Sequence, residues 1–126
     1  MKCMLLLSFF VMPLSGCRGW SLDYGQPDAQ FLQEDLSGFG KSFEGRHITV
    51  KGTVMKVDAS QSEYVRVYLA EGIECNFGKL KAMAESCRIG DTVYVDGFLR
   101  RCNEGDVLID PAVLRDPKAG FKAKKL

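Results

Sequence analysis

The sequence predicts a mainly-β domain: a five-stranded barrel with a short helix between its third and fourth strands and an extra N-terminal helix. Three observations carry this. Apolar and polar residues alternate with a period of two in separate stretches between residues 47 and 109, the mark of strands with one buried face. Within that region only the stretch from Leu80 to Cys87 switches to helical spacing. Thirteen glycines in 126 residues supply turns and points of strong strand curvature. A hydrophobic share of 46% with 26% charged residues belongs to a folded chain, and the length suffices for one domain.

Residues 1–17 read MKCMLLLSFFVMPLSGC, with Lys2 ahead of an apolar run from Met4 to Leu14. As a helix this run spans roughly 16 Å against a hydrocarbon core of roughly 30 Å. It fits a secretory leader better than a transmembrane span. Leu14 is too large for the small-x-small pattern of an ordinary cleavage site. Leu14-Ser15-Gly16-Cys17 instead resembles the lipobox of bacterial lipoproteins. That resemblance implies that residues 1–16 are a signal peptide, that Cys17 is acylated and bound to membrane lipid, and that the mature chain has 110 residues. Each buried methylene contributes roughly 0.8 kcal/mol, so several acyl chains hold a protein effectively permanently. Arg18 rather than Asp follows the cysteine, which by the same resemblance favours the outer membrane of a bacterial cell envelope, facing the periplasm. A chance cysteine in a buried N-terminal helix is the other reading, disfavoured because a polar segment follows at once.

Residues 17–26 are polar and turn-rich and read as the lipidated tether. Pro27-Asp28 opens a helix through Leu36, with Phe31, Leu32 and Leu36 on one face, ended by Ser37-Gly38 and Gly40. From His47 to Val54 the pattern alternates, with Ile48, Val50 and Val54 inward. Val57 falls out of step, so a bulge is expected near Met55-Lys56, and Gly52 is the natural point of curvature. After a turn at Asp58–Ser62, Tyr64 to Leu69 alternates with Val65, Val67 and Leu69 inward. Ile73, Cys75 and Phe77 then share a face. Leu80, Met83, Ala84 and Cys87 recur at spacings of three and four, a short amphipathic helix. Thr92 to Phe98 forms the fourth strand, with Val93 and Val95 inward. A loop containing Arg100, Arg101 and Cys102 leads to Val107-Leu108-Ile109, with Pro111 at an edge or bulge of that strand. Residues 115–126, RDPKAGFKAKKL, make a basic C-terminal tail.

Five strands with a helix between the third and fourth are the layout of an OB-fold barrel, here over residues 27–114. The runs Phe43 to Val54, Ile73 to Phe77 and Ile89 to Gly97 resemble the bacterial tRNA_anti-like OB-fold family of small secreted proteins and lipoproteins. The resemblance spans roughly residues 26–114 and implies the fold. The family's name records likeness to anticodon-binding domains, not a substrate.

Catalysis finds little material. His47 is the single histidine, and no nucleophile–His–acid set, paired-carboxylate signature or phosphate-loop pattern is present. The expectation is a non-catalytic module without metal or cofactor. Its working surface is expected on the outer face of the second and third barrel strands, which OB-folds commonly use. Tyr64, Arg66 and Tyr68 lie there at two-residue intervals, with Asn76 and Glu74 on the polar face of the next strand. Two rings with a guanidinium between them can stack on sugars, bases or aromatic side chains. The plainer reading is an ordinary exposed strand face, since tyrosine and arginine suit strands.

Charge narrows the ligand. The whole chain carries +1, and removing Lys2 with the leader makes residues 17–126 neutral; residues 115–126 hold five positive residues and one negative, which leaves residues 17–114 at −4. An acidic barrel suits a phosphate backbone poorly, so an envelope glycan, a peptide or a partner protein is favoured over nucleic acid. A nucleic-acid-binding OB domain and an envelope scaffold with no small ligand are the alternatives. The tail reads either as a contact to anionic lipid or glycan, or as a solvated terminus.

Beyond Cys3 and Cys17 the chain has Cys75, Cys87 and Cys102. The fourth strand separates Cys87 from Cys102 by roughly 23 Å, beyond the ~7 Å Cα limit of a bridge. In an OB barrel the third and fifth strands run parallel, so their starts are neighbours and a Cys75–Cys102 disulfide comes within reach. Reduced thiols, with Cys75 filling core space, are the other reading.

Overall fold

Chain geometry is taken from a computed structural model, which describes residues 25–125. The leader, Cys17 and most of the tether lie outside the described residues. The elements are β1 (Ala29–Leu32), α1 (Gln33–Phe39), β2 (His47–Asp58), β3 (Val65–Leu69), β4 (Ile73–Gly78), α2 (Lys81–Glu85), β5 (Thr92–Asn103) and β6 (Asp106–Leu114). Antiparallel pairing joins β2 to β3, β3 to β4 and β6 to β5, while β4 and β6 run parallel. Pairing of β2 with β5 closes the circuit. The order β2-β3-β4-β6-β5-β2 is an OB-fold barrel with β1 added beside β2. Closure leaves the ring without an open edge.

Period-two alternation fills the barrel. Ile48, Val50, Val54, Val67, Cys75, Val95 and Ile109 are fully buried. The expected bulge is present: the register between β2 and β3 shifts between Val54 and Lys56. This restores Val57 toward the core side, opposite Val67. Gly52 provides close approach, since a Cβ there would lie 2.8 Å from Gln33 Oε1 and 2.9 Å from Leu69 Cδ1. Gln33 in turn accepts a hydrogen bond from the Thr53 N–H at 2.8 Å. The short helix α2 buries Met83 and Ala84 as its spacing predicts.

Several expectations are corrected. The helix expected over residues 27–36 begins only at Gln33, because Ala29–Leu32 instead pair in parallel with Ile48–Lys51. Phe31 and Leu36 are buried as the expected helix face required, while Leu32 is only half-buried, so these apolar positions did not by themselves separate helix from strand. The loop expected at Arg100–Cys102 is strand: β5 runs on to Asn103 and turns directly into β6 at Glu104-Gly105. Val93, expected in the core, is only half-buried, opposite Gly52 near the start of β5.

The C-terminal segment is docked rather than free. The Arg115 N–H bonds to the Tyr94 carbonyl at 2.7 Å, and a 3₁₀ turn at Pro117–Ala119 follows. Phe121 packs edge-on against Tyr94 with ring centroids 5.3 Å apart. The backbone N–H groups of Lys122 and Lys124 then bond to the side-chain and main-chain oxygens of Gln30, each at 2.7 Å. Residues 115–125 thus form a strap from the end of β6 to β1.

Candidate ligand-binding face

Strand register builds the outer face of β2, β3 and β4 in rows. Asp58, Arg66 and Asn76 are neighbours across the three strands, and Lys56, Tyr68 and Glu74 form the next row. The β2 bulge sets these rows, because it shifts Lys56 and Asp58 into line with β3. Arg66 Nη2 meets Asp58 Oδ2 at 3.1 Å, and its Nη1 lies 4.0 Å from Glu74 Oε2. The guanidinium is therefore held between carboxylates from the strands on either side.

The tyrosines differ. Tyr64 stands just before β3 and is 58% exposed. Tyr68 is half-buried, with Lys56 Nζ 5.4 Å from its ring centroid. Asn76 is turned toward its own surroundings: its side-chain amide donates to Asp110 Oδ2 at 3.3 Å, and its Oδ1 accepts from the Gly78 N–H at 2.9 Å. All four sequence-selected residues thus belong to one region, but only Tyr64 presents a mostly open side chain.

Electrostatics follow from those contacts. The Ser60 hydroxyl and backbone N–H both donate to Asp58 Oδ1, at 2.6 and 3.1 Å. Those bonds, chiefly, hold its carboxyl below the usual carboxylate value. The charges of Arg66 and Lys56 add to the effect, while desolvation opposes it. The face carries Asp58, Glu74 and Asp110 against Lys56 and Arg66, so its cations are already matched by carboxylates.

The cysteines fall in separate places. Cys75, Cys87 and Cys102 are all free thiols and all buried. Strand β6 lies between β4, which carries Cys75, and β5, which carries Cys102. Two strand spacings are roughly 9–10 Å, outside bridging range. The parallel neighbours are β4 and β6, as expected, but Cys102 sits on the far side of β6, so the disulfide reading is overturned. Its Sγ lies 3.3 Å from the Leu36 carbonyl. Burial pushes all three thiols up from their ordinary values.

Sequence reasoning missed a buried polar cluster between β2 and β5. Asp96 is fully buried, receives hydrogen bonds from the Thr49 hydroxyl and Arg115 Nη1, the latter at 2.9 Å, and has His47 Nε2 3.9 Å away. No spacing rule links a residue of the tail to one in β5, so the sequence carried no signal for it.

No protein-family model matches the chain, and no curated protein matches it. Among solved structures it is similar to a "putative nucleic acid-binding lipoprotein" from Klebsiella pneumoniae, with 15% identity and a TM-score of 0.49, over 60% of this chain and 74% of that one. It is also similar to a "putative aspartyl-tRNA synthetase" from Leishmania major, with 11% identity and a TM-score of 0.44. That second match spans 75% of this chain and 22% of the synthetase chain.

Proposed function

We propose that this protein is a non-catalytic OB-fold binding module, held in a bacterial cell envelope by an acylated Cys17, that takes a glycan or peptide on the β2–β3–β4 face. The lipobox-like Leu14-Ser15-Gly16-Cys17 supports the anchor. One observation carries the ligand class: Arg66 is fixed between Asp58 and Glu74, two residues along the chain from the exposed Tyr64. An arginine already paired by two carboxylates offers a planar stacking and donor surface with little net positive charge. Such a surface favours neutral rings and hydroxyls over phosphate.

The test titrates full-length protein with soluble peptidoglycan fragments and, separately, with a single-stranded oligonucleotide, each at low and high salt. Binding of the fragments with shallow salt dependence, weakened about tenfold by Tyr64→Ala, is the expected result, since stacking on one ring contributes about 1–3 kcal/mol. Stability should change by less than about 0.5 kcal/mol, because the ring is exposed. Steeply salt-dependent oligonucleotide binding through the same residue would favour nucleic acid instead. The anchor is tested independently by intact mass of membrane-extracted protein, which should lack residues 1–16 and carry acyl mass at Cys17.

A further inference from the structure

The strap places exposed lysines beside the point where the tether enters the domain. Phe121 and Ala123 are half-buried against the protein, whereas Lys122, Lys124 and Lys125 are exposed. The alternation follows from the hydrogen bonds to Gln30, which hold this stretch beside β1. At the same place the entering chain is fixed: the Asp28 N–H bonds to the His47 carbonyl at 2.8 Å, and the Asp28 carboxylate meets Arg46 Nε at 3.1 Å. A shallow open cleft of about 760 Å³ runs between Asp28–Gln30 and the strap lysines. Asp28 is thus occupied by Arg46, and the lysines set the sign of the strap side of this cleft.

We propose that residues 118–125 are a docking surface for an anionic lipid bilayer, which seats the barrel strap-first on the membrane. The orientation rests on the anchored reading of Cys17, whereas the affinity of the strap does not. The strap segment carries +4 and residues 17–114 carry −4, so an anionic surface attracts one side of the molecule and repels the rest. Ten residues lie between Cys17 and Asp28, a reach of at most about 40 Å, so an anchored domain meets the bilayer repeatedly. Finally, the attraction acts only within about one Debye length, 8–10 Å at ordinary salt, and exposed lysines beside the tether entry fall within it when that side faces the lipid. Seated this way, the barrel keeps its charge-repelled remainder off the membrane.

The experiment uses the full chain carrying Cys17→Ser, so that no acyl group contributes. Binding is measured to vesicles of phosphatidylcholine with 30% phosphatidylglycerol (about one anionic lipid in three) and to vesicles of phosphatidylcholine alone. The quantity of interest is the ratio of the two affinities, which cancels any contribution from the apolar leader. Each lysine near an anionic surface is worth about fivefold. Lys122→Gln, Lys124→Gln and Lys125→Gln together should lower the ratio by roughly a hundredfold, and raised salt should do the same to the parent chain. Lys79→Gln with Lys81→Gln, between β4 and the start of α2, should leave it unchanged. A ratio unaffected by the three strap substitutions overturns the proposal. So does equal binding of an oligonucleotide through those lysines, which would make the strap a general polyanion site. Absence of acyl mass on Cys17 would remove the anchor and leave this measurement standing.

Discussion

Asp96 has no exposed surface, and its charge is balanced by Arg115, whose side chain is only 5% exposed. Such a pair contributes little net stability, because desolvation offsets most of the attraction, yet breaking it leaves a buried charge without its partner. Arg115→Met should therefore destabilise the fold by about 3–5 kcal/mol in urea denaturation. Adding Asp96→Leu should restore much of that loss. Asp58 makes a different, pH-dependent contribution. Its folded value lies below the ordinary carboxylate value through its bonds from Ser60 and its cationic neighbours, so the folded state holds the proton less tightly than the unfolded one. The resulting stability is fully present above about pH 4 and is lost as pH falls through the depressed folded value. The stability gap between parent and Asp58→Asn should accordingly be constant at neutral pH and close in acid. A gap that widens on acidification would show that the Ser60 bonds do not stabilise the carboxylate.

At the scale of elements, the strands of the barrel were legible because each buries one face, and a period of two records that directly. Their ends were less so. The β5–β6 hairpin continues through Arg100–Cys102 because Cys102 and Leu99 are drawn into the core on alternate sides of a register shift. That irregularity hides the period from a reading of sequence alone. Gly97 sits at a second shift, between Gly97 and Leu99, opposite Ala112, where a Cβ would meet the Pro111 carbonyl oxygen at 2.5 Å and the Ile109 side chain. Gly97→Ala should destabilise by about 1–3 kcal/mol, as overpacking at a close approach does. Thermal unfolding against Gly38→Ala, where a Cβ meets nothing within 4 Å, provides the comparison.

Over the whole molecule, the chain's ends and its charge acquire meaning only together. The sequence by itself determined the mainly-β class, most of the inward residues of the strands, the bulge near Met55-Lys56 and the outward alternation of Arg66 and Tyr68 on β3. These follow from local periodicity, and neighbouring residues suffice to encode it. It also displayed the split between an acidic body and a basic C-terminal segment. Only the tertiary structure decided that Ala29–Leu32 form a strand, since the partner that satisfies their backbone is β2 and lies outside the segment itself. Only tertiary structure showed that Arg66 is shared by Asp58 and Glu74, because those carboxylates come from two other strands. The same holds for the separation of Cys75 from Cys102 by β6, for the burial of Asp96 beneath Arg115, and for the strap along β1. Each depends on contacts between residues far apart in the chain, whose pairing is fixed by barrel closure and packing and leaves no periodic trace in the order of amino acids.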